Sequence, residues 1–289
     1  MQSDQPTHRP PHPALRNGRQ GGPRCCAGRR GYGSVGPIRA ARKERCEHAA
    51  LKLRCRRGKA GGATGGGTTS PKAKKLPAEL LRVNPINPER EVLRYAAGFL
   101  SRGSVIAIPT DTFYGLATDP FNLAAVDEIY HVKGRPEARA LPILVNSIEQ
   151  AVALSRGTPG SFMRLAHKFW PGALTLVVNA AHKIPLKVTA GTGRVALRWP
   201  RSEVVRCLIE EFEGPVTGTS ANISGFSSCA SAAQVMKQLG SRVPLVLDAG
   251  ETGATLPSTI VELNGDAWRI GREGAIAVEE IERAMKERG

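Results

Sequence analysis

The residue types most able to do chemistry in this chain stand in short clusters at the ends of expected strands and helices. In "VIAIPTDTFYGLA" an apolar run from Val105 to Ile108 stops at Pro109. Thr110, Asp111, Thr112 and Tyr114 follow before Gly115 turns the chain. Hydroxyl and carboxyl groups there can hold a small polar ligand, or Thr110 and Asp111 can cap a turn. In "KGRPEAR" Lys133 ends a helix, Gly134 breaks it and Arg135 follows. Arginine forks onto phosphate oxygens and lysine adds a compact charge, although a helix C-terminus favours cations without any ligand. "TGTSANISG" offers the hydroxyls of Thr219, Ser220 and Ser224 and the amide of Asn222. Such a set suits the sugar or phosphate of a nucleotide, or the capping of the loop itself. Ser258 and Thr259 open the strand of "LPSTIVEL", and Arg269 and Arg272 bracket a turn in "RIGREGAI".

Several chemistries lack their motifs. No GxxxxGK[ST] loop, GxSxG elbow or HExxH helix occurs, and no GxGxxG stands between a strand and a helix. "GGATGGGTTS" at 61–70 is Gly-rich but follows no strand, so it reads as linker. No residue is assigned as general acid or base, and no metal ligand set is assigned.

The clusters need elements to hold them. "NPEREVLRYAAGFLSRG" predicts a helix with Asn87 as N-cap, Pro88 at its first position, an apolar face of Val92, Leu93, Ala96 and Leu100, and Gly103 as stop. "NLAAVDEIYHVKG" predicts a second, capped by Asn122 and ended by Gly134, with Val126, Ile129 and Tyr130 inward. Further helices are expected at Pro159–Phe169, Ser202–Phe212, Ala230–Leu239 and Val278–Glu287. Strands are expected at Val105–Ile108, Pro142–Val145, Leu174–Val178, Val195–Leu197, Pro215–Thr217, Leu245–Leu247, Ser258–Leu263 and Ala267–Ile270. Strands and helices mix without strict alternation, which points to one α/β domain over residues 77–289 around a mixed sheet.

The chain has 289 residues and a formal net charge of +16. Residues 1–75 hold 18 Lys and Arg against 3 Asp and Glu, so the basicity belongs to the N-terminal quarter and the remainder is near neutral. Residues 1–76 have no apolar run able to seed a core and read as a disordered basic extension. Its origins divide between an RNA-attracting arm, a transit peptide and translated leader, the last because no methionine separates Met1 from Met163. Cys25, Cys26, Cys46 and Cys55 lie in this extension with no zinc spacing, and Cys207 and Cys229 read as reduced. With no secretory signal and no apolar stretch near 18 residues, a cytoplasmic protein without membrane contact is expected, or an organellar one if residues 1–75 are a transit peptide.

Taken in order, "PTDTFYGLA", "KGRP", "FWPGALTLV", "VALRWP", "TSANISG", "PSTIVEL" and "REGAI" resemble the YrdC/Sua5 family of threonylcarbamoyl-AMP synthases, from roughly Leu80 to the C-terminus. The resemblance implies an open, twisted α/β sheet with a concave binding face. It implies a nucleotidyltransferase reaction: L-threonine, bicarbonate and ATP, with Mg2+, give threonylcarbamoyl-AMP and pyrophosphate for the t6A base at tRNA position 37. By the same resemblance Thr112, Tyr114 and Ser258 would bind threonine, and Lys133, Arg135, Thr175, Ser220, Asn222, Ser228 and Arg272 would bind ATP. A downstream threonylcarbamoyl-transferase would take the product, and tRNA is a further candidate partner. Two departures stand out: Ala140-Leu141 where the family has Pro-Leu, and Arg272-Glu273-Gly274 where it has Arg-Pro-Gly. The chain resembles the short form, without an extra C-terminal domain. Competing readings are a double-stranded RNA-binding protein using the basic arm, and a related carbamoyl-transfer module of the hydrogenase-maturation kind.

Overall fold

The structure, a computed structural model, describes residues 77–134, 139–265 and 267–287. The expected extension over 1–76, its cysteines, and the position of Arg135 lie outside the described residues.

Among the described residues the elements run β1 (Glu79–Arg82), α1 (Arg90–Ser101), β2 (Ile106–Ile108), β3 (Gly115–Ala117), α2 (Leu123–Lys133), β4 (Ile143–Leu144), α3 (Ile148–Ala153) and α4 (Gly160–Phe169). They continue β5 (Leu174–Asn179), β6 (Arg194–Arg198), α5 (Glu203–Phe212), β7 (Val216–Thr217), β8 (Thr219–Ser220), α6 (Ala232–Leu239), β9 (Leu245–Asp248), β10 (Thr259–Asn264), β11 (Ala267–Arg272) and α7 (Val278–Lys286). The α/β class holds. The single sheet does not: the strands form two mixed sheets, ordered β1-β9-β2-β3-β8 and β11-β10-β5-β6-β4-β7.

The apolar runs of β2 and β9 follow from burial on both faces. Ile106, Ile108, Leu245 and Leu247 pack under α1 and α5 with Leu93, Leu100, Val205 and Leu208. Ala107 and Val246, pointing the other way, join the larger core of Leu116, Ile129, Leu165, Leu176 and Leu197. Alternate side chains of one strand thus serve two cores.

Gly218 joins the sheets. It is the one residue between β7, which pairs with β4, and β8, which pairs with β3. Its N–H donates to the Pro142 carbonyl at 2.9 Å. A Cβ at this position would collide with the Leu144 side chain, so the crossing needs glycine. Beside it, Thr217 N–H donates to the Thr118 carbonyl at 2.9 Å, and Thr118 N–H donates to Thr217 Oγ1 at 3.0 Å.

Four local expectations change. The first helix starts at Arg90, with Glu89 at its N-cap position. Asn87 is no cap, because Asn84 organises the turn: its Oδ1 accepts from the N–H groups of Ile86 and Asn87, and its own N–H donates to Glu89. Gly115 does not turn the chain; it opens β3, paired with Ile108 across an antiparallel ladder. Arg269 and Arg272 do not bracket a turn; both lie in β11. The strands β1, β3 and β8 and the helix α3 are additions to the expected set. By contrast, Asn122 caps α2 by accepting from Ala125 N–H, and Gly134 ends it in the left-handed region.

Candidate active site

A cavity of about 390 Å3 lies where the two sheets meet, within the usual size of a ligand site. Thr110 and Thr112 reach it from the turn after β2, Leu144 from β4, Thr175 from β5 and Arg198 from the end of β6. Ser220, Ser228, Ser258 and Arg272 close it from β8, the following loop, the approach to β10 and the end of β11. Among the described residues its lining contains Arg139, Arg198 and Arg272 and no carboxylate, although Asp111 pairs with Arg198 just behind it; such a lining favours anions.

The hydroxyl turn is built from its own side chains. Thr110 Oγ1 accepts from Thr112 N–H at 3.1 Å and donates to the Phe113 carbonyl at 2.7 Å, so Thr110 does cap the turn. Asp111 instead accepts from Arg198 Nη2 at 2.6 Å. Arg198 also donates through Nη1 to Thr112 Oγ1 at 2.9 Å and through Nε to the Gly172 carbonyl at 3.1 Å. The sequence contained this residue in "VALRWP" without giving it a role. A lone arginine ending an apolar strand was the signal: such a charge is buried only when paired. Burial lowers the Arg198 pKa, the Asp111 charge opposes that, and the charge of Arg272 adds to it. The two guanidinium groups therefore share one field.

On the opposite wall Thr175 Oγ1 and Ser258 Oγ stand 2.9 Å apart, both residues buried. Arg272 Nη2 donates to the Ser258 carbonyl at 2.7 Å and to Ser258 Oγ at 3.1 Å. An irregular register places Arg272 there: Ile260 faces Arg272 while Val261 faces Ile270, so one extra residue re-aims the end of β11.

Lys133 is buried beneath the cavity rather than in its lining. Its Nζ donates to the Ser220 carbonyl, to the Asn222 carbonyl at 3.0 Å and to Asn222 Oδ1 at 3.2 Å. Ser220 Oγ donates to Asn222 Oδ1 at 2.5 Å, and Asn222 Nδ2 donates to the Phe226 carbonyl at 2.6 Å. Lysine and asparagine here organise the loop that presents Ser220 and Ser228. Tyr114 borders the cavity, but its hydroxyl is directed away to Gly250, to which it donates at 2.7 Å. Of the residues singled out from sequence, Thr112, Tyr114, Thr175, Ser220, Ser228, Ser258 and Arg272 line one cavity. Lys133 and Asn222 support it from behind, and Arg135 lies outside the described residues.

Other chemistries find less support. The thiols of Cys207 and Cys229 are buried and pushed up by burial, which disfavours the thiolate. Among the described residues no group of His, Cys, Asp and Glu is placed to hold a metal ion. A larger cavity of about 750 Å3 opens elsewhere, lined by Glu79, Arg102, Glu128 and Arg242. Its charges are mixed, and none of the candidate threonine- or ATP-binding residues lines it.

An α/β protein whose sheet junction gathers hydroxyls and arginines from separate loops is a candidate nucleotide-handling enzyme. The sequence profile of the Sua5/YciO/YrdC family, described as "Telomere recombination", matches residues 98–274. The chain belongs to this family. It is 38% identical over 195 residues to the threonylcarbamoyl-AMP synthase of Pyrococcus abyssi, an alignment covering 68% of this chain and 57% of that protein. It is 31% identical over 183 residues to the threonylcarbamoyl-AMP synthase of Halorhodospira halophila, covering 63% of this chain and 92% of that one. The crystal structure of P. abyssi Sua5 complexed with L-threonine superposes with a TM-score of 0.70 at 36% identity, over 73% of this chain and 62% of that one. The chain thus spans little more than half the length of the Pyrococcus relative.

Proposed function

We propose that this chain is a threonylcarbamoyl-AMP synthase, converting L-threonine, bicarbonate and MgATP to threonylcarbamoyl-AMP, pyrophosphate and water. The observation that carries this reading is the single cavity in which Thr112, Thr175, Ser220, Ser258, Arg198 and Arg272 converge, with no carboxylate among the described lining residues.

The chemistry asks for such a place. Threonine's amine attacks the carbon of bicarbonate or its dehydrated form, giving a carbamate. A carbamate oxygen then attacks the α-phosphorus, the bond to the bridging oxygen breaks, and pyrophosphate leaves. Both partners in that step are anions, which at ~4 Å repel by about 4 kcal/mol at an effective dielectric near 20. Fixed cations offset this without reorganising, and separate loops hold the two reactants in line. Arg272 would face the phosphates, and the family resemblance assigns Arg135 to ATP as well. Arg198 and Thr112 would face the amino acid, Arg198 supplying charge for its carboxylate. Ser258 and Thr175 would bridge the two halves, and Ser220 and Ser228 would border the nucleotide. Mg2+ enters as part of the MgATP substrate, held by phosphate oxygens. No covalent enzyme intermediate is needed.

The product would serve tRNA t6A synthesis through a threonylcarbamoyl-transferase. The basic residues 1–75 would attract tRNA or other double-stranded RNA through salt-sensitive charge. Placement in the cytoplasm agrees with the free, buried Cys207 and Cys229. Among the described residues no helix is long and apolar enough to cross a membrane.

The test is pyrophosphate release from purified protein. Release that requires ATP, threonine and bicarbonate together supports the reading. Release without threonine, or equally with serine and valine, overturns it.

A further inference from the structure

Tyr114 is fully buried, yet it ties three loops together. Its N–H donates to the Cys229 carbonyl at 2.9 Å, and its carbonyl accepts from Ala221 N–H at 2.7 Å. These two bonds fasten the hydroxyl turn to the loop carrying Ser220 and Ser228. Its side chain runs the other way. The hydroxyl donates to the Gly250 carbonyl at 2.7 Å and accepts from Ala249 N–H at 3.2 Å. Thr252 N–H then donates to the Ala230 carbonyl at 2.9 Å. The path closes on itself: Tyr114 to Cys229, along the chain to Ala230, across to Thr252, back through Gly250 to Tyr114.

Packing does not hold this ring on its outer side. A cavity of about 310 Å3 separates Pro109, Thr110 and Asp111 from Ala249, Gly250, Glu251 and Thr252. The Tyr114 hydroxyl reaches across to the loop after β9, while Ser202 Oγ, which caps α5, separately donates to the Pro109 carbonyl at 3.3 Å. The hydroxyl is protonated at all working pH values, since burial pushes its pKa up to about 12. It is a fixed donor, not a proton carrier.

We infer that the Tyr114 hydroxyl is a positioning group, setting the Thr112 turn against the Ser220–Ser228 loop so that the two reactants meet in line. The assignment rests on the synthase reading for its catalytic consequence, but the lock itself is a property of the fold. It replaces the role in threonine contact expected from sequence: the hydroxyl points to the loop after β9, and the turn it fixes carries the contact.

The test is Tyr114→Phe, which keeps the ring in the core and removes one oxygen. Ala249 is half-buried and Gly250 exposed, so water can satisfy the freed groups and the protein should fold. In pyrophosphate release, kcat should fall about 10-fold or more, since small misplacements of reactants are costly. KM for ATP and for threonine should each stay within about 3-fold, because neither substrate loses a contact. Exchange of the Ala249 amide should quicken by about an order of magnitude as the loop opens locally. A variant with wild-type kcat, or with Ala249 protection unchanged, overturns the inference. Should wild-type protein itself release no threonine-dependent pyrophosphate, the synthase reading fails, and the Ala249 amide still decides whether the lock exists. Unfolding of the variant would be seen by circular dichroism. In that event Ser202→Ala serves as the second variant: loosening the same turn from its other anchor should lower kcat at held KM, and unchanged kcat there also overturns the inference.

Discussion

Arg198 and Asp111 meet at 2.6 Å, with side chains only 8% and 14% exposed. The same guanidinium holds the Thr112 hydroxyl, so one buried cation orders two consecutive residues of the turn. Removing one partner of such a pair strands the other charge. Arg198→Met should therefore destabilise the fold by about 3 kcal/mol. Asp111→Asn should cost less, because its amide oxygen can still accept from Arg198. A double-mutant cycle by urea unfolding should give a coupling of about 2 kcal/mol. Additive single effects would remove the pair from the account of the turn.

Arg272 and Arg269 share β11 but differ in what they hold. Arg269 is exposed and pairs with Glu262 at 2.8 Å on the outer surface; Arg272 forks onto Ser258 inside the cavity. Exposed pairs contribute little. Arg269→Ala should leave pyrophosphate release within about 2-fold of wild type. Arg272→Lys keeps the charge and loses the planar fork, and should raise KM for ATP about 10-fold. Equal effects at both positions would show that net charge, not placement, governs the site.

The fold was legible in sequence wherever one local pattern decided it. Asn122 and Gly134 bound their helix because cap chemistry is local, and the strands read from apolar runs are present. What escaped depends on partners far along the chain. β3 and β8 have two or three residues and exist through pairing with β2 and with each other. The division into two sheets rests on one backbone crossing at Gly218. Within the site, the hydroxyl and arginine clusters were visible because such groups are conspicuous at strand ends. Arg198 was not, since its importance arises from Asp111 and Thr112, both more than eighty residues away. Tyr114 looked like a ligand because its hydroxyl is close in sequence to Thr112; the side chain's direction, toward Gly250, is set by tertiary packing.

Lys133 offers a prediction that separates a loop clamp from a phosphate contact. Its ammonium is buried and bonded to Ser220 and Asn222. Lys133→Met fills similar space but leaves carbonyl oxygens without their donor, at about 2 kcal/mol. The clamp requires faster amide exchange across residues 220–223 even without nucleotide, together with a raised KM for ATP. A raised KM with unchanged exchange in the free protein would instead assign Lys133 to the phosphates directly.

Tyr114 also makes stability depend on alkaline pH. Its pKa rises from 10.0 to about 12, first through burial, with the charge of Asp248 acting in the same direction. The unfolded chain loses the phenol proton near 10, while the native chain keeps it until about 12. Across that interval the unfolded state binds fewer protons, so stability falls as pH rises. The contribution is intact below pH 10 and lost on passing 12, amounting to the order of 2 kcal/mol. Other groups titrate in the same range, so the comparison must be between wild type and Tyr114→Phe. Urea unfolding at a series of pH values should show the wild type losing its margin over the variant as pH climbs from 10 to 12. A margin that stays constant would mean that the phenol ionises in the fold as it does in water, and the buried hydroxyl bonded to Ala249 and Gly250 would have to be given up.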